Sequence, residues 1–373
     1  MKKLKVMTVV GTRPEIIRLS ATIKLLDQVT DHVLVHTGQN YDYELNEVFF
    51  KDLGLRAPDH FLEADTTSLG AALGTILSGT EKVLREENPD AFLVLGDTNS
   101  CISAVMAKRL RVPVFHMEAG NRSFDENVPE ETNRRIIDHT ADYNLAYTEH
   151  ARRNLLREGL HPSRVILTGS PMKEVLGQNL AQIEASDVVE RQGLTAGEFF
   201  LVSLHREENV DYPWRLEQAL ESLQALAAVY ELPVLVSTHP RTRKRLEAQP
   251  DSLKGNIVFH PPFGFHDYVK LQTKAKVVLS DSGTIAEESS ILGFPAVTMR
   301  DFIERPEALD TGSIITAGLE PDSVVAAVEL ALSQRRHSIP ADYQIDDTSV
   351  RVVSFITGTV HSHARRAGLL PMK

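Results

Sequence analysis

The chain is poor in cysteine: Cys101 is the single thiol in 373 residues. A disulfide within the chain is excluded, and a reducing, cytoplasmic setting is expected. Cys101 falls in an apolar, helix-like run, so a buried packing role is the stronger reading than a nucleophile. Basic residues are outnumbered, 40 Lys+Arg against 51 Asp+Glu, for a net charge of −11. A nucleic-acid binder needs a basic face, so that class is set aside. An anionic small ligand remains open, because a few local arginines can outweigh the overall sign. No apolar run is long enough to span a bilayer, and no membrane association is expected. Met1-Lys2-Lys3 looks like the basic end of a leader, but the apolar run behind it stops at Gly11-Thr12-Arg13 without a small-residue cleavage site. Gly-x-Gly occurs nowhere, so the dinucleotide fingerprint is missing. Cys/His spacings of a zinc site are missing too, and His361-Ser362-His363 in the polar tail counts as incidental. No cofactor and no metal are expected.

What is present is an alternation of short β-rich runs with longer helical patterns. One strand series is expected at 6–10, 33–37, 91–95, 112–117, 143–147 and 165–168. A second is expected at 199–204, 234–238, 257–260, 277–280, 296–299 and 313–316. Several runs are nearly all apolar, as parallel strands covered on both faces should be. Such alternation implies right-handed βαβ units and parallel sheets. The length allows two cores. The expected fold is therefore α/β, with two Rossmann-like domains and the active site in a cleft between them. The domains are expected at 1–176 and 177–348, with 349–373 packing back on the first.

The most informative stretch is Gly11-Thr12-Arg13-Pro14-Glu15, a strand end running into a helix. A glycine for a tight turn, a proline suited to the first helical position, free helix N–H groups and the forked cation of Arg13 together read as a phosphate site. An ordinary βα turn is the plain alternative. Asp281-Ser282-Gly283-Thr284 repeats the theme in the second half, with Glu287 and Glu288 in the following helix. Capping plus dipole-compensating acids is the alternative there. Arg300 and Arg305, in a loop after a strand, read as ligand-facing rather than merely solvated.

Acid/base candidates cluster after strands of the first half: Asp97, Glu118, and Glu130 or Glu131. Carboxylates at strand C-termini point into the ligand crevice of a parallel sheet. Gathered together, they would have their pKa values pushed apart, giving one acid and one base. His205-Arg206 and His239-Pro240-Arg241 each place a histidine and an arginine at a strand end in the second half.

With these residues in place, the chain resembles the non-hydrolysing UDP-N-acetylglucosamine 2-epimerase family from about residue 5 to about residue 360. The ordered matches are 11–15, His36-Thr37-Gly38-Gln39, Gly96-Asp97-Thr98, Glu118-Ala119-Gly120, 129–134, His205-Arg206, Asp281-Ser282-Gly283, Glu287-Glu288 and 304–308. The resemblance implies a glycosyltransferase-B-like architecture, a UDP-sugar ligand and a homodimer. It implies that Arg13 contacts the diphosphate, that Asp97, Glu118 and Glu130 form the acid/base set, and that His205 assists departure of UDP. It implies that Ser282, Glu288 and Arg305 hold phosphate, ribose and nucleotide. Arg18, Arg206, His239, Gly283 and Thr284 complete the expected substrate-binding set. The chain has Arg18 where members acting on UDP-N-acetylglucosamine carry lysine, and Thr75 where allosterically activated bacterial members carry arginine. The strings 39–46 and 206–209 resemble a branch that makes UDP-N-acetyl-L-fucosamine from UDP-2-acetamido-2,6-dideoxy-L-talose in capsule or O-antigen synthesis. A UDP-N-acetylglucosamine epimerase, a hydrolysing epimerase, a glycosyltransferase of the same architecture and a non-catalytic UDP-sugar binder are the alternatives.

Overall fold

The computed structural model describes residues 3–39, 43–238, 240–246, 256–334 and 338–369. It divides into two compact units. One comprises Met1–Arg122, Pro129–Gly177 and Ile345–Lys373; the other comprises Ser123–Val128 and Gln178–Gln344.

Among the described residues the first unit is built on seven parallel strands: β1 Lys5–Val10, β2 Asp31–His36, β3 His60–Phe61, β4 Ala91–Leu95, β5 Val114–Met117, β6 Tyr143–Ala146 and β7 Val165–Leu167. Their order is β3-β2-β1-β4-β5-β6-β7. Strands β1 and β4 read almost wholly apolar because both of their faces are covered, and from Val6 onward they are buried. The two-residue β3 was not expected: an edge of that length leaves no periodic trace.

Among the described residues the second unit has six parallel strands: β8 Phe200–Ser203, β9 Val234–Ser237, β10 Ile257–His260, β11 Val277–Ser280, β12 Ala296–Thr298 and β13 Ile315–Thr316. Their order is β10-β9-β8-β11-β12-β13. Both sheets are doubly wound, so each has a point where strand order reverses: between β1 and β4 in one, between β8 and β11 in the other. Loops leaving the C-terminal ends of the two central strands diverge there and leave a crevice.

The first helix is Arg13–Val29, and a second long one runs Leu69–Glu87. The last helix, Thr348–Arg366, packs within the first unit. Thr348 Oγ1 donates to the Ser170 carbonyl at 3.0 Å, and Phe355 meets Tyr143 edge-on at 5.4 Å. Among the described residues no helix is long and apolar enough to cross a membrane.

Candidate active site

In the first unit the site begins where β1 ends. Gly11 does not adopt the positive φ of a tight turn; its reason is space. A Cβ there would collide with Thr37 Oγ1 and Ser100 Oγ. Part of the backbone at this turn is already engaged. The N–H groups of Gly11 and Thr12 donate to Glu15 Oε2 at 2.8 and 2.7 Å, and Pro14 has none to give. Glu15 also accepts from Thr98 Oγ1 at 2.8 Å, tying the β1 turn to the β4 turn across the switch point. Burial pushes this carboxyl up to about 7, against the pull of those hydrogen bonds. Arg13 itself lies over the Phe49 ring, its guanidinium carbon 5.7 Å from the centroid.

Asp97 follows Gly96, whose φ of +73° turns the chain out of β4. Its Oδ2 accepts from Arg134 Nε at 2.7 Å, and its carbonyl accepts from Asn133 at 2.9 Å. Asp97 is therefore not the cap of the short helix that follows; Thr98 is, accepting from the Ser100 N–H. Glu118 follows β5 in a left-handed backbone conformation with φ +64°. A non-glycine residue held there costs free energy and is retained where it aims a side chain. Its carboxylate is bonded by Arg18 and approached by the Asn121 amide at 3.3 Å. Arg18 is thus brought onto a candidate acid/base group, although the two are 100 residues apart in sequence. Glu130 opens the helix Pro129–Thr140 at half-buried depth, while Glu131 is buried against Arg134 at 3.1 Å. Arg134 thus joins Asp97 to Glu131. Cys101 is fully buried, and burial followed by nearby carboxylates pushes its thiol well up, which suits packing rather than nucleophilic attack.

In the second unit the corresponding loops leave β8 and β11. His205 faces Asp281: Nδ1 lies 3.1 Å from Oδ1, and the N–H groups of His205 and Arg206 both donate to that carboxylate at 3.0 Å. Burial works against the ionised form of Asp281, yet neighbouring His205 and these donors hold it at about 2. Ser282 and Thr284 hydroxyls meet at 3.0 Å at the start of the helix Ile285–Leu292. A Cβ on Gly283 would make only ordinary contacts, 3.7 Å from Arg206 Nη2 and 3.8 Å from Glu304 Oε2. The glycine is not required by the protein's own packing, and it places Arg206 and Glu304 beside the turn.

Glu287 and Glu288 are not solvated dipole acids. Both are buried, Glu287 facing Arg305 at 3.2 Å and Glu288 accepting from Gln272 at 2.6 Å. Arg300 bonds Glu304 at 2.7 Å and faces Glu208 at 3.2 Å; Arg300, Glu304 and Arg305 are each under 5 % exposed. These three charged side chains of the loop after β12 are therefore interior and paired, while Asp301 and Phe302 between them are exposed. His239 lies outside the described residues.

Residues that the sequence reading left without a role are Glu15, His116, Arg122, Arg134 and Asp138. His116 and Asp138 are 22 residues apart, a spacing that carries no periodic signal.

Residues 24–357 match the family model described as UDP-N-acetylglucosamine 2-epimerase. A structure of UDP-N-acetylglucosamine 2-epimerase from Rickettsia bellii is 46 % identical, covers 97 % of this chain and 98 % of its own, and superposes with a TM-score of 0.91. The Methanocaldococcus jannaschii UDP-GlcNAc 2-epimerase in complex with UDP-GlcNAc and UDP is 35 % identical, covers 95 % and 100 %, and has a TM-score of 0.89. A Pseudomonas aeruginosa relative named UDP-2,3-diacetamido-2,3-dideoxy-D-glucuronate 2-epimerase is 33 % identical over 95 % of this chain and 99 % of its own.

Proposed function

This chain belongs to the UDP-N-acetylglucosamine 2-epimerase family, with two Rossmann-like units of the glycosyltransferase-B class, and is a non-hydrolysing UDP-sugar 2-epimerase; from that premise we propose that it converts UDP-2-acetamido-2,6-dideoxy-L-talose to UDP-N-acetyl-L-fucosamine. The observation that carries the choice of sugar is Arg18. The resemblance places lysine here in members that act on UDP-N-acetylglucosamine, and the arginine of this chain bonds the carboxylate of Glu118. A forked, planar cation orients a carboxylate differently from a point charge. The exchange therefore falls where a different ring configuration would be felt. That one relative is named for another 2-acetamido sugar supports a family in which the ring varies.

The hydrogen on the acetamido-bearing carbon has no adjacent carbonyl to acidify it. The reading therefore rests on elimination. A base takes the C-2 proton, its electron pair forms the C-1–C-2 double bond, and the C-1–oxygen pair departs with UDP. An acid then protonates C-2 on the opposite face, and the UDP oxygen re-attacks C-1. Asp97, Glu118 and Glu130 are assigned as the acid/base set. His205, ion-paired with Asp281, is assigned to the leaving diphosphate, where charge develops as the bond breaks. Arg13, Arg206, Ser282, Gly283, Thr284, Glu288 and Arg305 are assigned to UDP, and His239 by sequence position alone. A homodimer in the cytoplasm, serving capsule or O-antigen synthesis, completes the proposal.

The test is proton NMR in D2O with UDP-2-acetamido-2,6-dideoxy-L-talose and, in parallel, UDP-N-acetylglucosamine. Loss of the C-2 proton signal with appearance of the fuco isomer, from the first sugar alone, is the expected result. Exchange with UDP-N-acetylglucosamine alone would overturn the assignment of the sugar and leave the ordinary 2-epimerase.

A further inference from the structure

His116 stands on β5, two residues before Glu118, and is 1 % exposed. Its Nε2 is 2.8 Å from the carbonyl oxygen of Gly96, the residue before Asp97. Its Nδ1 is 2.9 Å from Oδ1 of Asp138, on the helix Pro129–Thr140. A carbonyl oxygen only accepts, so Nε2 must carry a hydrogen. Asp138 is also an acceptor. It takes a hydrogen bond from Arg122 Nη1 at 2.7 Å and from the Gly120 N–H at 3.2 Å, two residues beyond Glu118. Nδ1 must therefore donate as well. A neutral imidazole has one N–H and cannot satisfy both neighbours.

Charge counting leads to the same place. Arg122 is shared between two carboxylates, Asp138 and Glu158, the latter at 2.6 to 2.8 Å. One guanidinium against two carboxylates leaves a surplus negative charge in a largely buried cluster, and such charges are retained only when paired. The cation facing Asp138 from the other side is His116. His139 also approaches Glu158, at 3.2 Å, but from the exposed side of the cluster.

We propose that His116 is held as an imidazolium and acts as a positioning residue, a bracket that locks the Asp97 turn to the Glu118 turn. One end of the bracket grips the Gly96 carbonyl. The other, through Asp138, grips the Gly120 N–H. The Gly96 N–H donating to the Met117 carbonyl at 3.0 Å closes the frame. Gly96, Glu118 and Gly120 all have positive φ, so the two turns are not conformations the chain holds by local preference. Gly120 is pressed further in place, since a Cβ there would strike the Ala151 carbonyl. The separation of two acid/base carboxylates is thus set by a buried ion pair that touches neither. The catalytic consequence rests on the epimerase reading above; the charge state of the ring does not.

The experiment is 15N NMR of the histidine rings in the full-length protein without substrate, beside His116→Gln and Asp138→Asn. The expected result is one ring with both nitrogens protonated at neutral pH. That signal should vanish in His116→Gln and lose one proton at neutral pH in Asp138→Asn. In the exchange assay His116→Gln should lower kcat about 100-fold while UDP affinity stays within about twofold, because only the aim of the carboxylates is lost. A His116 ring with one bare nitrogen at neutral pH overturns the proposal, as does full kcat in His116→Gln. If neither sugar is turned over by the wild type, the substrate reading fails and the ring spectrum still decides the bracket.

Discussion

Glu15 shows how much one buried carboxyl can do. Four hydrogen bonds converge on it, from two N–H groups and two threonine hydroxyls, and together they join the turns after β1 and β4. Its pKa stands at about 7 when folded, against 4.5 for an ordinary glutamate. Between those values the folded state binds more protons than the unfolded state, so stability falls as pH rises through that window. A difference of this size corresponds to about 3 kcal/mol. Glu15→Gln keeps an acceptor for Gly11 and Thr12 and gains a donor for Thr98, with no charge to bury. Denaturant unfolding at about pH 5 and pH 8 should show the variant losing less stability with rising pH than the wild type. An unchanged pH dependence would mean that Glu15 is not the group responsible. Gly11 belongs to the same scale. Its motif was plain in the sequence, but the role of the glycine, making room for Thr37 and Ser100, was not, because those neighbours arrive from other strands.

At the scale of elements, the helix Thr348–Arg366 is the instructive one. Its apolar positions were legible as a helix. Its partners were not: Ser349 donates to Glu174 at 2.8 Å, and Phe355 packs on Phe115 and Tyr143. The chain thus closes on strands laid down two hundred residues earlier. Ile356 is fully buried in this helix, and Ile356→Ala should cost about 3 kcal/mol, read by chemical denaturation. A loss under about 1 kcal/mol would show that the helix is not part of the cooperative core of its unit. The strand ends teach a related lesson. Glu118 and Asp97 could be picked out because they follow apolar runs in an alternating pattern. Their guanidinium partners, Arg18 and Arg134, sit on helices, where an arginine ordinarily reads as a solvated face.

At the scale of the whole molecule, the charged candidates are divided between the two units. Arg300 and Arg305 are buried and paired in the second unit, while the carboxylates proposed for the acid/base roles and Arg18 belong to the first. This division predicts a separation of effects. Asp97→Asn or Glu118→Gln should reduce turnover by about 100-fold or more, the usual scale of losing a positioned acid or base. UDP affinity, measured by calorimetry, should remain close to wild type, since the residues assigned to UDP are mostly in the other unit. Normal turnover in both variants would remove these carboxylates from the chemistry.

The amino-acid sequence by itself determined the class of fold, through alternation of β-rich and helical runs, and eleven of the strands in nearly their observed places as well as the short β13. It also marked the turns that hold the candidate site residues, because strand–turn–helix motifs are local and their residues lie side by side in the chain. What only the tertiary structure decided is how those turns are held. The Glu15 clasp, the Arg18–Glu118 pair and the His116–Asp138 bracket all join side chains from different strands and helices. Such contacts have no sequence period, because parallel strands that are neighbours in a sheet are joined by crossovers whose lengths vary freely.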